Sequence, residues 1–126
     1  PILELVRRNE NFCFTANINL SLLELLEKDF PDVVTGFREA VESGKIELMS
    51  SPAHHPILPL IPEFLQKAQI EEDIKQKEAK YSMKKNSKGF YFPEMAFSRN
   101  NIGLLREYDY RWTVMDDVPR GNASLH

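Results

Sequence analysis

Residues Pro31–Ser50 read PDVVTGFREAVESGKIELMS, and this stretch decides the fold. Pro31 suits the first turn of a helix, where its missing N–H is not needed. Val33, Val34, Phe37, Ala40 and Val41 recur at helical spacing, and Gly44 supplies a C-terminal stop. Ile46-Glu47-Leu48-Met49-Ser50 is too short for a helix and lies between that stop and the breaker Pro52, so it reads as a strand. A helix that runs directly into a strand is half of a β-α-β unit.

Upstream, a helix signal at Leu3-Glu4-Leu5-Val6 precedes Asn11–Asn17, whose alternation around Phe12-Cys13-Phe14-Thr15-Ala16 predicts a strand ending near Asn17 or Ile18. Ser21 reads as the N-cap of the next helix, with Glu24 completing a capping box. Downstream, Pro52, Pro56, Pro59 and Pro62 make Ser51–Pro62 a loop. A long helix is predicted from Glu63 to Lys84. Its charges Glu71, Glu72, Asp73, Lys75, Lys77, Glu78 and Lys80 are read as a solvated face. Phe90-Tyr91-Phe92 reads as a third strand, Ser98 as the cap of a helix through Leu104, Leu105 and Tyr108, and Arg111–Met115 as a fourth strand.

Strands alternating with helices imply parallel pairing, so the expected fold class is α/β with a parallel (β/α) barrel. Four βα units are about half of a closed barrel of roughly 250 residues. The barrel is therefore expected to be incomplete within residues 1–126, a single partial domain with no second domain. The start at Pro1 and the polar, Gly-containing stretch before Ser124-Leu125-His126 match a fragment.

The composition narrows the class. Hydrophobic residues make up 42% and charged residues 28%, which argues against disorder. The 16 Lys and Arg against 19 Asp and Glu give a net charge of -3, which disfavours nucleic acid as a partner. The charge-free stretch Ser50–Pro62 is too short and too Pro-rich to cross a membrane. The single Cys13 cannot form an internal disulfide, and Phe12 and Phe14 beside it predict a buried thiol; a cytoplasmic setting fits. Unpaired edge strands make a homo-oligomer an open expectation.

Parallel α/β folds collect functional side chains at the carboxyl ends of their strands. Those ends carry Asn17 and Asn19, Ser50–His55, Glu94, and Asp116-Asp117. Glu94 stands among Phe90, Tyr91, Phe92 and Phe97, which suits a sugar site: a carboxylate can attack an anomeric carbon while aromatic rings stack on pyranose faces. The bland reading has Glu94 capping a helix or pairing with Arg99 or Arg106. His54-His55 lies in a Pro-bracketed loop and is read as ligand-facing or as bonded to backbone carbonyls. With Asp116 or Asp117 these histidines would suit a divalent metal, although no HxxH, HExxH or CxxC spacing is present. Glu47 is a costly charge in an apolar strand unless it is paired or faces a polar interior. Asp116-Asp117 fits sugar binding, general acid work or capping equally, and Trp112 reads as a core residue.

Gly44-Lys45-Ile46-Glu47-Leu48, Ser51-Pro52-Ala53-His54-His55-Pro56-Ile57-Leu58-Pro59-Leu60 and Gly89-Phe90-Tyr91-Phe92-Pro93-Glu94 together resemble successive motifs of glycoside hydrolase family 57. The resemblance covers most of the chain and implies an incomplete seven-stranded (β/α) barrel that acts with retention on α-glucans such as starch, glycogen or maltodextrin. The family includes α-amylases, 4-α-glucanotransferases, branching enzymes and amylopullulanases. By the same resemblance Glu94 occupies the place of the catalytic nucleophile. Glu47 and His55 match positions lining its cleft, with His54, Phe92, Asp116 and Asp117 as further substrate contacts. No cofactor and no obligatory metal are implied. The N-terminal His-Gln-Pro motif and the later Asp motif are absent from these residues, so the general acid/base is expected outside them and this chain alone is expected to be inactive. The rival readings are a metal-dependent polysaccharide deacetylase using His54 or His55 with Asp116 or Asp117, and an inactive carbohydrate-binding α/β domain.

Overall fold

The computed structural model describes residues 2–116. Helix α1 (Ile2–Arg8) leads into strand β1 (Phe14–Asn17), then helices α2 (Leu20–Asp29) and α3 (Pro31–Glu42), strand β2 (Ile46–Met49), and a 3-10 turn at Leu58–Leu60. Helix α4 (Glu63–Ala79), strand β3 (Gly89–Phe90), a second 3-10 turn at Pro93–Met95, helix α5 (Asn101–Glu107) and strand β4 (Trp112–Thr113) follow.

The strands are parallel. β1 pairs with β2 in the register Phe14 with Ile46 through Asn17 with Met49, and β3 pairs with β4. A parallel bridge between Ser50 and Phe90 joins the two pairs: Ser50 N–H donates to the Gly89 carbonyl at 3.2 Å and Tyr91 N–H to the Ser50 carbonyl at 2.8 Å. The strands therefore succeed one another in chain order, and the predicted α/β class with parallel strands holds.

The junction from α3 to β2 follows from its sequence. Gly44 adopts φ 74°, a left-handed conformation open to glycine at little cost. This lets Gly44 N–H reach the Val41 carbonyl at 3.1 Å and Lys45 N–H reach that of Ala40 at 3.0 Å, a helix stop that aims the chain into β2. α5 enters β4 through the same pattern, with Asp109 N–H on Arg106 and Tyr110 N–H on Leu105, although Asp109 sits at φ 56°. Ion pairs from Lys88 and Arg111 hold that Asp109.

Alternation sorts each strand into two faces. Ile46 and Leu48 are buried with Val6, Leu20, Leu23, Ala40 and Val41 of the helices, while Phe14 and Ala16 pack against the same cluster. Thr15, Asn17, Glu47 and Met49 occupy the opposite face. A second core unites Leu58, Ile70, Phe90, Phe92, Leu104 and Tyr110.

Several sequence expectations are corrected. Asn19, not Ser21, caps α2, because its Oδ1 accepts Leu22 N–H at 2.8 Å. α4 ends at Ala79 rather than Lys84: Tyr81 and Met83 are buried, so the chain must fold back, with Ser82 at φ 54° and Met83 N–H on the Lys77 carbonyl at 2.8 Å. α5 begins at Asn101, and the third strand spans Gly89–Phe90 only. Cys13 is exposed. Trp112 is 38% exposed; its ring covers the space where a Cβ on Gly89 would sit, so it lies on the rim of the sheet rather than in the core.

The face of α4 read as solvated is also mixed. Asp73 is fully buried and Lys77 nearly so. Lys77 Nζ lies 2.7 Å from Asp73 Oδ1 and donates to Oδ2 at 2.9 Å.

Candidate functional site

The carboxyl ends of β2 and β3 present two loops side by side. After β3, the chain passes through Phe92 and Pro93 into a turn where Glu94 and Met95 both take left-handed backbone conformations, φ 56° and 52°. Each such non-glycine residue costs on the order of 1–3 kcal/mol and persists only where its surroundings over-determine it. Here the determinants are visible. Met95 N–H donates to the Phe92 carbonyl at 2.9 Å and Ala96 N–H to that of Pro93 at 3.0 Å. The rings of Phe92 and Phe97, one on each side of the turn, meet edge to face at 5.4 Å. The result is an exposed Glu94 side chain with no hydrogen bond or ion pair to the other described residues; it joins neither Arg99 nor Arg106.

After β2, Ser50 to Ala53 are buried and His54 and His55 are exposed. His54 N–H donates to Gln69 Oε1 at 2.9 Å, and the His54 Nδ1 stands 3.0 Å from Ser21 Oγ. His55, at φ 57°, lays its ring 6.0 Å from that of Tyr91, three residues before Glu94. The two loops thus touch through His55 and Tyr91. Ser21 and Gln69 were missed in the sequence, where Ser21 reads as a helix cap; only the packing of α2 and α4 against this loop brings them to His54.

Phe92 is a correction. Expected to stack on a sugar, it is fully buried against Phe90 at 4.9 Å and Phe97, so neither ring face is free. Phe90 is likewise core, and Tyr91 alone of that aromatic run is partly accessible.

Glu47 lies on the strand face turned away from the helices. Thr15 Oγ1 donates to its Oε2 at 3.1 Å and Ser87 Oγ to its Oε1 at 2.7 Å, so the carboxylate ties β1 and β2 to the approach of β3. It sits three residues before Ser50, about 10 Å down the strand, and the structure does not bring it into contact with Glu94. Asp116 is exposed just past β4, and Asp117 lies outside the described residues. Neither histidine meets Asp116 in any hydrogen bond or ion pair, and among the described residues no group of three or more His, Cys, Asp or Glu could hold a metal ion. Within the same residues no helix is long and apolar enough to cross a membrane.

Beneath the loop after β2, Ser50, Asp73, Lys77 and Lys85 line a cavity of about 10 Å³, the lower limit for one water. Burial pushes the Asp73 carboxyl up, with Lys77 and the Ser51 backbone opposing, and pushes the Lys77 ammonium down. Burial also raises the Tyr110 hydroxyl, which together with Ser51 Oγ has no hydrogen-bond partner among the described residues. A larger cavity of about 460 Å³, lined by Glu42, Glu78, Lys84 and Asn86 among others, contains none of the candidate residues.

Comparison with known proteins adds an independent line. The family model described as glycosyl hydrolase family 57 matches residues 2–125. An α-amylase of Pyrococcus abyssi is 26% identical over 125 residues, covering 99% of this chain and 19% of the relative. A 4-α-glucanotransferase of Thermococcus litoralis is 24% identical over 127 residues, covering 99% of this chain and 18% of the relative. The crystal structure of the Thermococcus litoralis 4-α-glucanotransferase superposes with a TM-score of 0.81 over 93% of this chain and 18% of that chain. An exo-type maltose-forming amylase from Pyrococcus sp. ST04 gives 0.72 at 16% identity over 90% of this chain and 19% of that chain. This chain therefore spans about a fifth of the length of the curated relatives it matches.

Proposed function

The chain belongs to glycosyl hydrolase family 57, and from that premise we propose that the complete protein is a glycoside hydrolase or 4-α-glucanotransferase acting on α-glucans with retention. Residues 1–126 are one part of its catalytic (β/α) barrel. The order β1, β2, β3, β4 in parallel, with Ile46 and Leu48 facing the helices and Thr15 and Glu47 facing away, supports a half barrel that further strands would close.

Glu94 is the nucleophile in this reading. The observation that carries it is an exposed carboxylate, unpaired among the described residues, on a doubly strained turn at the carboxyl end of β3. Its carboxylate attacks the anomeric carbon as the glycosidic bond to the leaving oxygen breaks, giving a glycosyl ester. A second carboxyl roughly 5–5.5 Å away protonates that oxygen and later deprotonates the acceptor. That residue belongs to the protein outside residues 1–126. Water as acceptor gives hydrolysis; a sugar hydroxyl gives transfer. His54, His55 and Asp116 line the same carboxyl edge as substrate contacts, with Glu47 deeper on the inner face; Asp117, a further contact in this reading, lies outside the described residues. The setting is cytoplasmic, where the exposed Cys13 thiol stays reduced.

Glu94→Gln in the complete protein tests the assignment. The expected result is loss of glycosyl-enzyme formation, read by intact mass after a quench during turnover of a maltooligosaccharide. An unchanged rate would refute it.

A further inference from the structure

The loop that carries His54 is held more firmly than an exposed loop needs to be. Ala53 N–H donates to the Gln69 carbonyl at 3.1 Å, and His54 N–H donates to the Gln69 side chain at 2.9 Å. Ser21 N–H donates to the Ala53 carbonyl at 3.3 Å, and His55 N–H to that of Pro52 at 3.2 Å. Ala53 is fully buried, so the backbone next to His54 cannot shift without disturbing the core. The imidazole is then fixed from a third direction by Ser21 Oγ at Nδ1.

We propose that Ser21 and Gln69 are positioning residues that hold the exposed His54 ring in one orientation, with Nδ1 engaged by Ser21 and Nε2 left to hydrogen-bond an α-glucan hydroxyl. A neutral imidazole has one donor nitrogen and one acceptor nitrogen, and the partner of one decides the state of the other. The Ser21 hydroxyl, which can donate or accept, engages Nδ1 and has no other partner among the described residues, so Nε2 is the ring nitrogen left to bond a ligand. A glucan hydroxyl, donor and acceptor at once, matches that nitrogen in either tautomer. In water a hydrogen bond between exposed groups adds little stability, so the bond of Ser21 to the ring, added to the backbone bonds that fix the loop, serves the ring's presentation. Gln69 fixes where the ring begins, and Ser21 fixes how it is turned.

This inference rests on the proposed glucan activity, and its test separates the two. Steady-state kinetics of the complete protein on maltoheptaose are measured for His54→Ala, Ser21→Ala and Gln69→Ala, and for the last two substitutions combined with His54→Ala. Loss of a contact made equally in the ground state and the transition state raises KM and leaves kcat nearly unchanged. The expected rise is about three- to tenfold for His54→Ala and in the same direction for the other two single variants. Ser21→Thr and Gln69→Glu, which keep the hydroxyl and the acceptor, restore KM. In the His54→Ala background neither Ser21→Ala nor Gln69→Ala raises KM further, because both act through the ring. A purely structural role would add its effect in that background, and this outcome would overturn the proposal, as would a fall in kcat with KM unchanged. Glu94→Gln in the same assay reports on the activity itself: turnover that survives it defeats the proposed function rather than the positioning role.

Discussion

The buried pair on α4 yields two substitutions whose effects must run in opposite directions with pH. Lys77 Nζ lies 2.7 Å from a fully buried Asp73 oxygen. At an effective dielectric of about 20 that attraction is about 6 kcal/mol. Lys77→Met leaves the Asp73 carboxylate uncompensated, and it escapes by taking a proton. From the ordinary value of 3.8 this costs about 1.4 kcal/mol per pH unit, hence about 3 kcal/mol at about pH 6 and close to 6 at about pH 8. The carboxyl is then raised above its unfolded value, so stability is intact in acid and is lost as pH rises. Asp73→Asn strands the Lys77 ammonium, whose escape is deprotonation from an ordinary value of 10.5. Its cost is about 6 kcal/mol at about pH 6 and about 3 at about pH 8, so here stability is lost as pH falls. Replacing both, Asp73→Leu with Lys77→Met, removes the charges together and is expected to be near neutral at either pH. Hydrogen exchange of α4 peptides in the complete protein, corrected for intrinsic rates, reads the local opening free energy. Equal pH slopes for the two single variants, or a double variant as unstable as either, would refute the reasoning.

Two further outcomes follow from the same geometry. Asn19→Ala should weaken α2 by about 0.5–2 kcal/mol, because Leu22 N–H loses its acceptor, while Ser21→Ala leaves α2 within about 0.5; exchange of α2 peptides distinguishes them, and the reverse order would return the cap to Ser21. The hydrogen bond from Lys88 holds the exposed Asp109 carboxyl below its ordinary 3.8. The contribution is present above the ordinary value and is lost as pH falls through the lowered one. Carboxyl-carbon NMR of Lys88→Ala should show Asp109 titrating higher than in the parent, and no difference would remove Lys88 as the cause.

What was legible in the sequence is what local chemistry dictates. Pro31 and Gly44 bound α3 because one lacks an N–H and the other tolerates positive φ, and both facts precede any packing. Glu94 was legible by position, since Pro93 ends a short β-favouring run and leaves the next residue at the carboxyl end. The misses are tertiary. Phe92 reads as a stacking ring, and only the approach of Phe90 and Phe97 makes it core. Asp73 and Lys77 share the spacing of any solvated pair four residues apart, and nothing in that spacing says that β2 and the loop beyond it cover them. Cys13 failed the other way: its aromatic neighbours suggested burial, yet it lies before β1 begins and remains exposed. The third strand is short because Ser50 alone bridges Phe90, after which Pro93 and the strained turn take the chain out of the ladder.

That short bridge bears on the proposed function. Glu94 and the histidine loop belong to different βα units, and their relative placement passes through the Ser50 and Phe90 bridge, the His55 ring against Tyr91, and Leu58 packed with Phe90 and Phe92 in the second core. In the proposed function, a displacement of about 1 Å between Glu94 as nucleophile and the groups that orient its substrate can cost about a hundredfold in rate. The core beneath is built to resist such a shift. Phe90 and Phe92 are fully buried, pack edge to face with each other, and meet Tyr110 and Phe97 respectively. The buried Phe92, lost as a sugar platform, is thus the anchor from which the Glu94 turn is held. Enlarging or emptying that aromatic cluster should change turnover before it unfolds the chain, because the strained turn at Glu94 and Met95 is the first structure to relax when its supports move.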